Sequence, residues 1–274
     1  MRTRPVRLND VRGFVFDVDG TLVHRAGAEV RPLPGASEVL DAIRESGRPF
    51  ALFTNGSHMP PAAFARELRE AGLPVEDEQL LTPLCSVQTY LARRRGRSVL
   101  AFATDAARTY LEERGGVTLV DGGDHEHIDA VFVAHPKDVD FERLELAARA
   151  VISGARLLTG SYVAAYAGAD GPIFSRGAMV TAAIAKASGR RPTIVGKPSR
   201  AAVNTIETHL GMPAAEIAVI GDDLLLDVAL GHLGGSRTVL VRTGISGSID
   251  VSRVPESRRP HLTVQGVADL LDRI

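Results

Sequence analysis

Four times along this 274-residue chain a short, continuously apolar run stops on polar residues. Phe14-Val15-Phe16 stops on Asp17-Val18-Asp19-Gly20-Thr21, and Phe50-Ala51-Leu52-Phe53 on Thr54-Asn55-Gly56. Thr193-Ile194-Val195 stops on Gly196-Lys197-Pro198, and Ile217-Ala218-Val219-Ile220 on Gly221-Asp222-Asp223. Runs that are apolar throughout, rather than alternating, read as strands buried on both faces, as in a parallel sheet covered by helices. Helical patterns lie between them, over Gly35–Ser46 and Pro61–Ala71 for example, so the chain reads as α/β with a doubly wound parallel sheet. Such sheets bind their ligands at the carboxyl ends of the strands. The four polar stops are therefore expected to line one functional edge.

The stretch from Pro83 to Gly177 reads as a unit of its own. It carries helical patterns at Ser86–Arg95, Ala106–Arg114 and Phe141–Ser153, and apolar runs at Ser98–Ala103, Val131–Val133 and Arg156–Leu158. The expected organisation is a catalytic core of residues 1–82 and 178–274 with an inserted α/β cap of residues 83–177.

The residue types at the strand ends suit phosphoryl transfer. A carboxylate such as Asp17 can attack phosphorus and divide one difficult displacement into two easier ones. A second acid, Asp19, can protonate the departing oxygen and later deprotonate the attacking water. Two acids beside a phosphate demand a divalent cation and a basic side chain. Each element also has a plain structural account. Thr54-Asn55-Gly56 can be a turn, Lys197 a surface lysine, Asp222-Asp223 a helix cap and Asp227 a solvated helix residue. It is their joint occurrence, in order, that points to chemistry.

The string DxDGT behind the first strand resembles the nucleophile motif of the haloacid dehalogenase-like (HAD) phosphohydrolases, and the other three strand ends match the remaining motifs in sequence. DVDGTLV, FTNGS, VGKPS and the acidic stretch from Gly221 to Asp227, with the insertion between the second and third, resemble the NagD/4-nitrophenylphosphatase branch from about Gly13 to Gly247. The resemblance implies a Rossmann-like core with an inserted C2-type cap and a phosphatase of small phosphate monoesters acting through an aspartyl phosphate. It casts Asp17 as nucleophile and Asp19 as general acid and base. Thr54, with Asn55 and Gly56, would hold the phosphoryl oxygens, and Lys197 would supply counter-charge. Mg²⁺ would be held by the Asp17 carboxylate, the Asp19 carbonyl and Asp222, supported by Asp223 or Asp227. Asp222 and Asp227 are five residues apart, so a bend must intervene before both face one ion.

A metal-independent haloacid dehalogenase is the nearest alternative, but that chemistry needs no acid at position 19 and no acidic fourth motif. A non-catalytic phosphate binder would have no use for Asp19, and phosphoacceptor receiver domains are far shorter and have no inserted cap. Two departures from the branch stand out. Leu226 replaces the threonine usual before the last acid, and Leu158-Thr159-Gly160-Ser161-Tyr162 lacks the Asn and Asp of the usual cap string. Tyr162, Tyr166 and Asp170, in the Gly-rich stretch of the cap, are candidates for touching the leaving group; packing within the cap is the competing account.

A net charge of −1 gives no reason to expect a nucleic-acid or membrane partner. The single cysteine, Cys85, excludes an internal disulfide framework and fits a reducing, cytoplasmic setting. The expected partner is a small phosphorylated metabolite, with homodimer formation as an option the resemblance allows. Asp124-His125-Glu126-His127 reads as a polar loop rather than a metal tract. His58, just past Thr54, and His24 and Arg25, just past the first motif, lie where they could border a substrate.

Overall fold

The computed structural model describes residues 8–27, 29–92, 97–123, 125–166 and 173–274. They form two compact units. One comprises the chain up to Thr54, Ala62–Leu81 and Val203–Ile274; the other comprises Asn55–Pro61 and Thr82–Ala202. Among the described residues no helix is long and apolar enough to cross a membrane.

The first unit is built on a six-stranded parallel sheet. Its strands run in the order Leu262–Val264, Arg237–Val241, Ile217–Gly221, Gly13–Phe16, Phe50–Phe53, Leu80–Leu81. Every residue of Gly13–Phe16, Phe50–Phe53 and Ile217–Gly221 is buried, which is why these runs carry no polar alternation. From Gly13–Phe16 the chain winds outward through Phe50–Phe53 to Leu80–Leu81; on the other side it winds from Ile217–Gly221 to Leu262–Val264. The sheet therefore changes direction between Gly13–Phe16 and Ile217–Gly221, and a crevice opens at the carboxyl ends of two strands at such a point. The register Phe16↔Ile220 sets Asp17 and Asp222 just beyond that point.

Directly after the first strand the chain turns tightly: Leu22 and Val23 both donate to the Val18 carbonyl. It then forms an antiparallel hairpin, Val23–Ala26 with Glu29–Pro32. Ala36–Glu45 follows as an amphipathic helix with Ala36, Val39, Leu40 and Ile43 buried, the spacing of one helical face.

The second unit has its own five-stranded parallel sheet, ordered Thr193–Ile194, Arg156–Thr159, Ala130–Val133, Ser98–Phe102, Thr118–Leu119. Alternate residues of its central strands feed two separate cores. Val99, Ala101, Ala130 and Phe132 pack with Leu84, Leu91 and Leu111 from helices Pro83–Ala92 and Asp105–Glu113. Leu100, Phe102, Val131 and Val133 pack with Val151, Val180 and Ile184 from helices Phe141–Ile152 and Arg176–Ser188. Both faces are covered, which makes this unit a three-layer α/β body in its own right.

The second compact unit is more extensive than the expected insertion of residues 83–177. The second unit runs on to Ala202 and also takes in Asn55–Pro61. Val180 and Ile184 are anchored in its core, and Thr193–Ile194 pairs with Leu158–Thr159. The run Thr193-Ile194-Val195 was expected in the catalytic sheet because it ends on a polar stop like the other three. Nothing in a short apolar run names the parallel strand it will pair with, and here that neighbour belongs to the inserted sheet.

Candidate active site

Asp17 leaves the sheet with its N–H still bound to the Ile220 carbonyl at 2.8 Å, so the ladder itself fixes where its side chain begins. The fully buried Thr21 donates its hydroxyl to Asp17 Oδ2 at 3.4 Å. Thr21 was legible only as part of the DxDGT string, and its contact with Asp17 was not foreseen.

On the neighbouring strand end, Asp222 is 3% exposed and Asp227 2%. Carboxylate oxygens of Asp17, Asp222 and Asp227 lie within 4.8 Å of one another. Among the described residues this is the only group of three or more His, Cys, Asp or Glu side chains that converges in this way. The spacing problem between Asp222 and Asp227 is solved by a single π-helical turn, Leu224–Val228, in which Val228 N–H reaches the Asp223 carbonyl at 3.2 Å. Such wide turns carry one more residue than an α-turn and occur often at functional sites.

The two remaining acids separate clearly. The carboxylate of Asp223 accepts from Leu225 N–H at 2.7 Å and Leu226 N–H at 3.3 Å, so it caps the turn. Its backbone N–H donates to Asp227 Oδ2 at 3.1 Å. Asp227 points its carboxylate into the acidic group, and Asp223 holds the turn that puts it there.

Space for these acids is made by missing side chains. A Cβ on Gly244 would overlap the Asp222 carboxylate, and one on Gly221 would overlap Asp227. With that room, Asp222 Oδ2 accepts from Ile245 N–H at 2.7 Å. Two nearly buried carboxylates facing a third repel one another strongly in a medium poorer in water. A donor set of clustered hard oxygens relieves that repulsion by holding a cation, and it fits magnesium or another hard divalent ion better than a soft one.

Asp19 behaves differently from Asp17. Its side chain is 47% exposed, and its Oδ1 accepts from Arg25 Nε at 2.5 Å. Arg25, on the hairpin, also gives Nη1 to Glu67 Oε2 at 2.8 Å. Burial pulls the guanidinium down, but Asp19 and Glu67 outweigh it and its pKa is raised. Thr54 is buried at the end of Phe50–Phe53, its N–H donating to the Leu81 carbonyl at 3.2 Å.

Asn55 and Lys197 both belong to the second unit and are clasped there. Lys197 N–H donates to Asn55 Oδ1 at 2.7 Å, and Asn55 Nδ2 donates back to the Lys197 carbonyl at 2.9 Å. Lys197 is buried, contrary to the surface-lysine account, and Gly56 is half-buried beside Asn55 in the same segment. A lysine is rarely buried unless its charge is paired and hydrogen-bonded.

Of the cap candidates, Tyr162 is 41% exposed after the strand Arg156–Thr159. Asp170 lies outside the described residues, and of Tyr166 only the backbone is described, in a two-residue ladder with Ile173–Phe174. His125–His127 forms a short 3-10 turn. His58 sits edge-on to His135 with ring centroids 5.7 Å apart, within the second unit.

Two family models, several curated proteins and several solved structures are similar to this chain. A family model described as haloacid dehalogenase-like hydrolase matches residues 14–116, and a HAD-hydrolase-like model matches residues 194–270. The chain is 30% identical to the ribonucleotide monophosphatase NagD of Escherichia coli K12 over 266 residues, covering 95% of this chain and 98% of that protein. It is 27% identical to a dihydroxyacetone phosphatase of Corynebacterium glutamicum, over 94% of this chain and 90% of that one. Among solved structures, the p-nitrophenyl phosphatase of Archaeoglobus fulgidus superposes with a TM-score of 0.84 at 26% identity, covering 97% of this chain and all of that one (100%).

Proposed function

The chain belongs to the haloacid dehalogenase-like hydrolases, in their NagD-like branch, and is a phosphoric monoester hydrolase; on that premise we propose that it works through an aspartyl phosphate on Asp17. The observation that carries the proposal is the convergence of Asp17, Asp222 and Asp227 at the point where the sheet changes direction. A dehalogenase needs an attacking aspartate but no such acidic group around it.

In the proposed reaction an Asp17 carboxylate oxygen forms a bond to phosphorus as the ester oxygen departs. Asp19 gives that oxygen its proton, so the alcohol leaves neutral. Asp19 then takes a proton from water as the water attacks phosphorus, and the bond to Asp17 breaks to release orthophosphate. Thr54 and the Asn55-Gly56 segment are assigned to the phosphoryl oxygens, and Lys197 to neutralising their charge. Mg²⁺ is the proposed cation, held by Asp17, Asp222 and Asp227 with the Asp19 carbonyl; when bound it offsets the charge of phosphate and nucleophile together.

The relatives are named for ribonucleotides, dihydroxyacetone phosphate and p-nitrophenyl phosphate. These share a small monoester and differ in the leaving group. The substrate is therefore proposed to be a small phosphorylated metabolite, selected by the second unit, with Tyr162 and the neighbouring Tyr166–Asp170 stretch retained as candidates for leaving-group contact.

The test is acid quenching during turnover of a ³²P-labelled monoester. Label should remain on the protein at Asp17 and be absent from Asp17→Asn, whose amide is nearly isosteric but does not attack phosphorus. Turnover without any labelled protein, with Asp17→Asn still active, would replace covalent catalysis by direct attack of water.

A further inference from the structure

We propose that Arg25 is a positioning residue for the general acid, and that Glu67 sets Arg25 in turn. The inference rests on the reading of Asp19 given above and extends it to two residues outside the four motifs.

The hairpin that carries Arg25 begins where the acid's loop ends. Asp19 and Val23 form a backbone bridge, and two residues later Arg25 reaches back to Asp19 Oδ1 at 2.5 Å. The same guanidinium spans to Glu67 on the helix Pro61–Glu70 at 2.8 Å. Its three nitrogens thus have three fates: Nε holds Asp19, Nη1 holds Glu67, and Nη2 is buried with no hydrogen-bond partner among the described residues.

Stability alone does not explain this arrangement. Partly exposed ion pairs contribute little, and a buried donor left without an acceptor is destabilising. What the arrangement does supply is direction. Asp19 is about half exposed, and unrestrained its carboxylate would sample several rotamers. With Oδ1 occupied by Arg25, Oδ2 is the oxygen left to carry the proton to the leaving group. An acid acts only from within hydrogen-bond reach of the atom it protonates, so fixing one oxygen orients the other. Only a planar fork can bridge two carboxylates at fixed angles, which a lysine ammonium does not do.

Phenyl phosphate and p-nitrophenyl phosphate separate this role from a structural one, because they have nearly the same shape but differ in how much the departing oxygen needs a proton. Arg25→Ala and Glu67→Gln should each lose kcat about tenfold more on phenyl phosphate than on p-nitrophenyl phosphate, with KM little changed. Arg25→Lys should resemble Arg25→Ala. Glu67→Gln guards against a fold defect in the arginine variant, since Glu67 is only partly buried on its helix and the change keeps its shape. Equal losses on the two esters, or a full recovery by lysine, would overturn the positioning role. Asp19→Asn on the same pair of esters tests the parent reading. A bias there but not in the Arg25 and Glu67 variants removes only this inference; no bias in Asp19→Asn removes both.

Discussion

The backbone N–H of Asp223 donates to the carboxylate of Asp227 at 3.1 Å, so one acid of the last motif orients the other. The two should therefore fail differently when changed. Asp223→Ala removes the acceptor for two N–H groups at the start of the π-helical turn and should lower stability by about 1 kcal/mol, as loss of a cap does. Asp227→Asn keeps the shape but removes a charge from the acidic group; it should leave the melting temperature level or higher and raise the Mg²⁺ concentration for half-maximal activity at least tenfold. Thermal melts and metal titrations on both variants decide the matter. Identical behaviour would mean that the division of roles is wrong.

Gly244 should tolerate no side chain. Alanine there would put its Cβ into the Asp222 carboxylate, which must then swing out of its bond to Ile245 N–H. Gly244→Ala should bind Mg²⁺ more weakly and lose most of its activity while circular dichroism stays unchanged. Gly47→Ala provides the control: its φ of 71° also disfavours alanine, but nothing lies within 4 Å of the new Cβ. That variant should lose some stability and keep its metal response.

Chelation should silence the enzyme, and Mg²⁺ should restore it, because Asp17 and the two like charges beside it, Asp222 and Asp227, otherwise repel an incoming phosphate. Removal of the cation should also lower the melting temperature, since it leaves Asp222 and Asp227 buried and facing one another. Calcium, with a larger and looser coordination sphere, should recover the melting temperature better than the rate. Full activity in chelator would dismiss the metal assignment.

Stability should fall as the pH drops below the ordinary imidazole value of about 6.5. In the fold the pKa is lowered for His209 by burial, for His261 by burial and then His232 and Arg237, and for His135 by burial and then Arg176. His261 shows why. Its Nδ1 accepts from Thr238 N–H at 3.1 Å, a bond the protonated ring cannot make. The unfolded chain takes up these protons first, so it binds more protons than the fold, and stability declines with falling pH until the folded histidines titrate in their turn. Nothing is lost from this source above the ordinary value. The lowered Glu29 and Asp250 carboxylates act in a separate window, nearer pH 4. Urea midpoints at pH 7.5 and 5.5 should differ, and His261→Gln should narrow the difference. A midpoint flat across that range would contradict this account.

Much of the candidate site was legible in the sequence, because its residues sit at the ends of strands. A strand buried on both faces has no use for a terminal carboxylate, so Asp17 and Asp222 stood out against Phe14–Phe16 and Ile217–Ile220. The spacing of Asp222 and Asp227 posed a question that only the local backbone could answer, since a π-helical turn has no distinct residue signature. The hairpin Val23–Pro32 was not legible in the sequence although Gly27 marks its turn, because strands of four residues carry too little alternation to stand out. With it went the contact between Asp19 and Arg25, six residues apart. The strand Thr193–Ile194 was assigned to the wrong sheet for a different reason: parallel pairing is a long-range choice that neighbouring residues do not encode.

The pairing of Gly13–Phe16 with Ile217–Gly221 bears on when the enzyme comes into being. As the chain leaves the ribosome, the first strand emerges early and its partner late, while the whole sheet of the second unit, from Ser98 to Ile194, is made in between. Domains fold as they are completed. The inserted body can thus be finished while the nucleophile strand still waits with one open edge. A nascent or prematurely ended chain that stops before Ile217 carries Asp17, the proposed nucleophile, without Asp222 or Asp227. On this topology the acidic group of Asp17, Asp222 and Asp227 is completed only with the last quarter of the polypeptide.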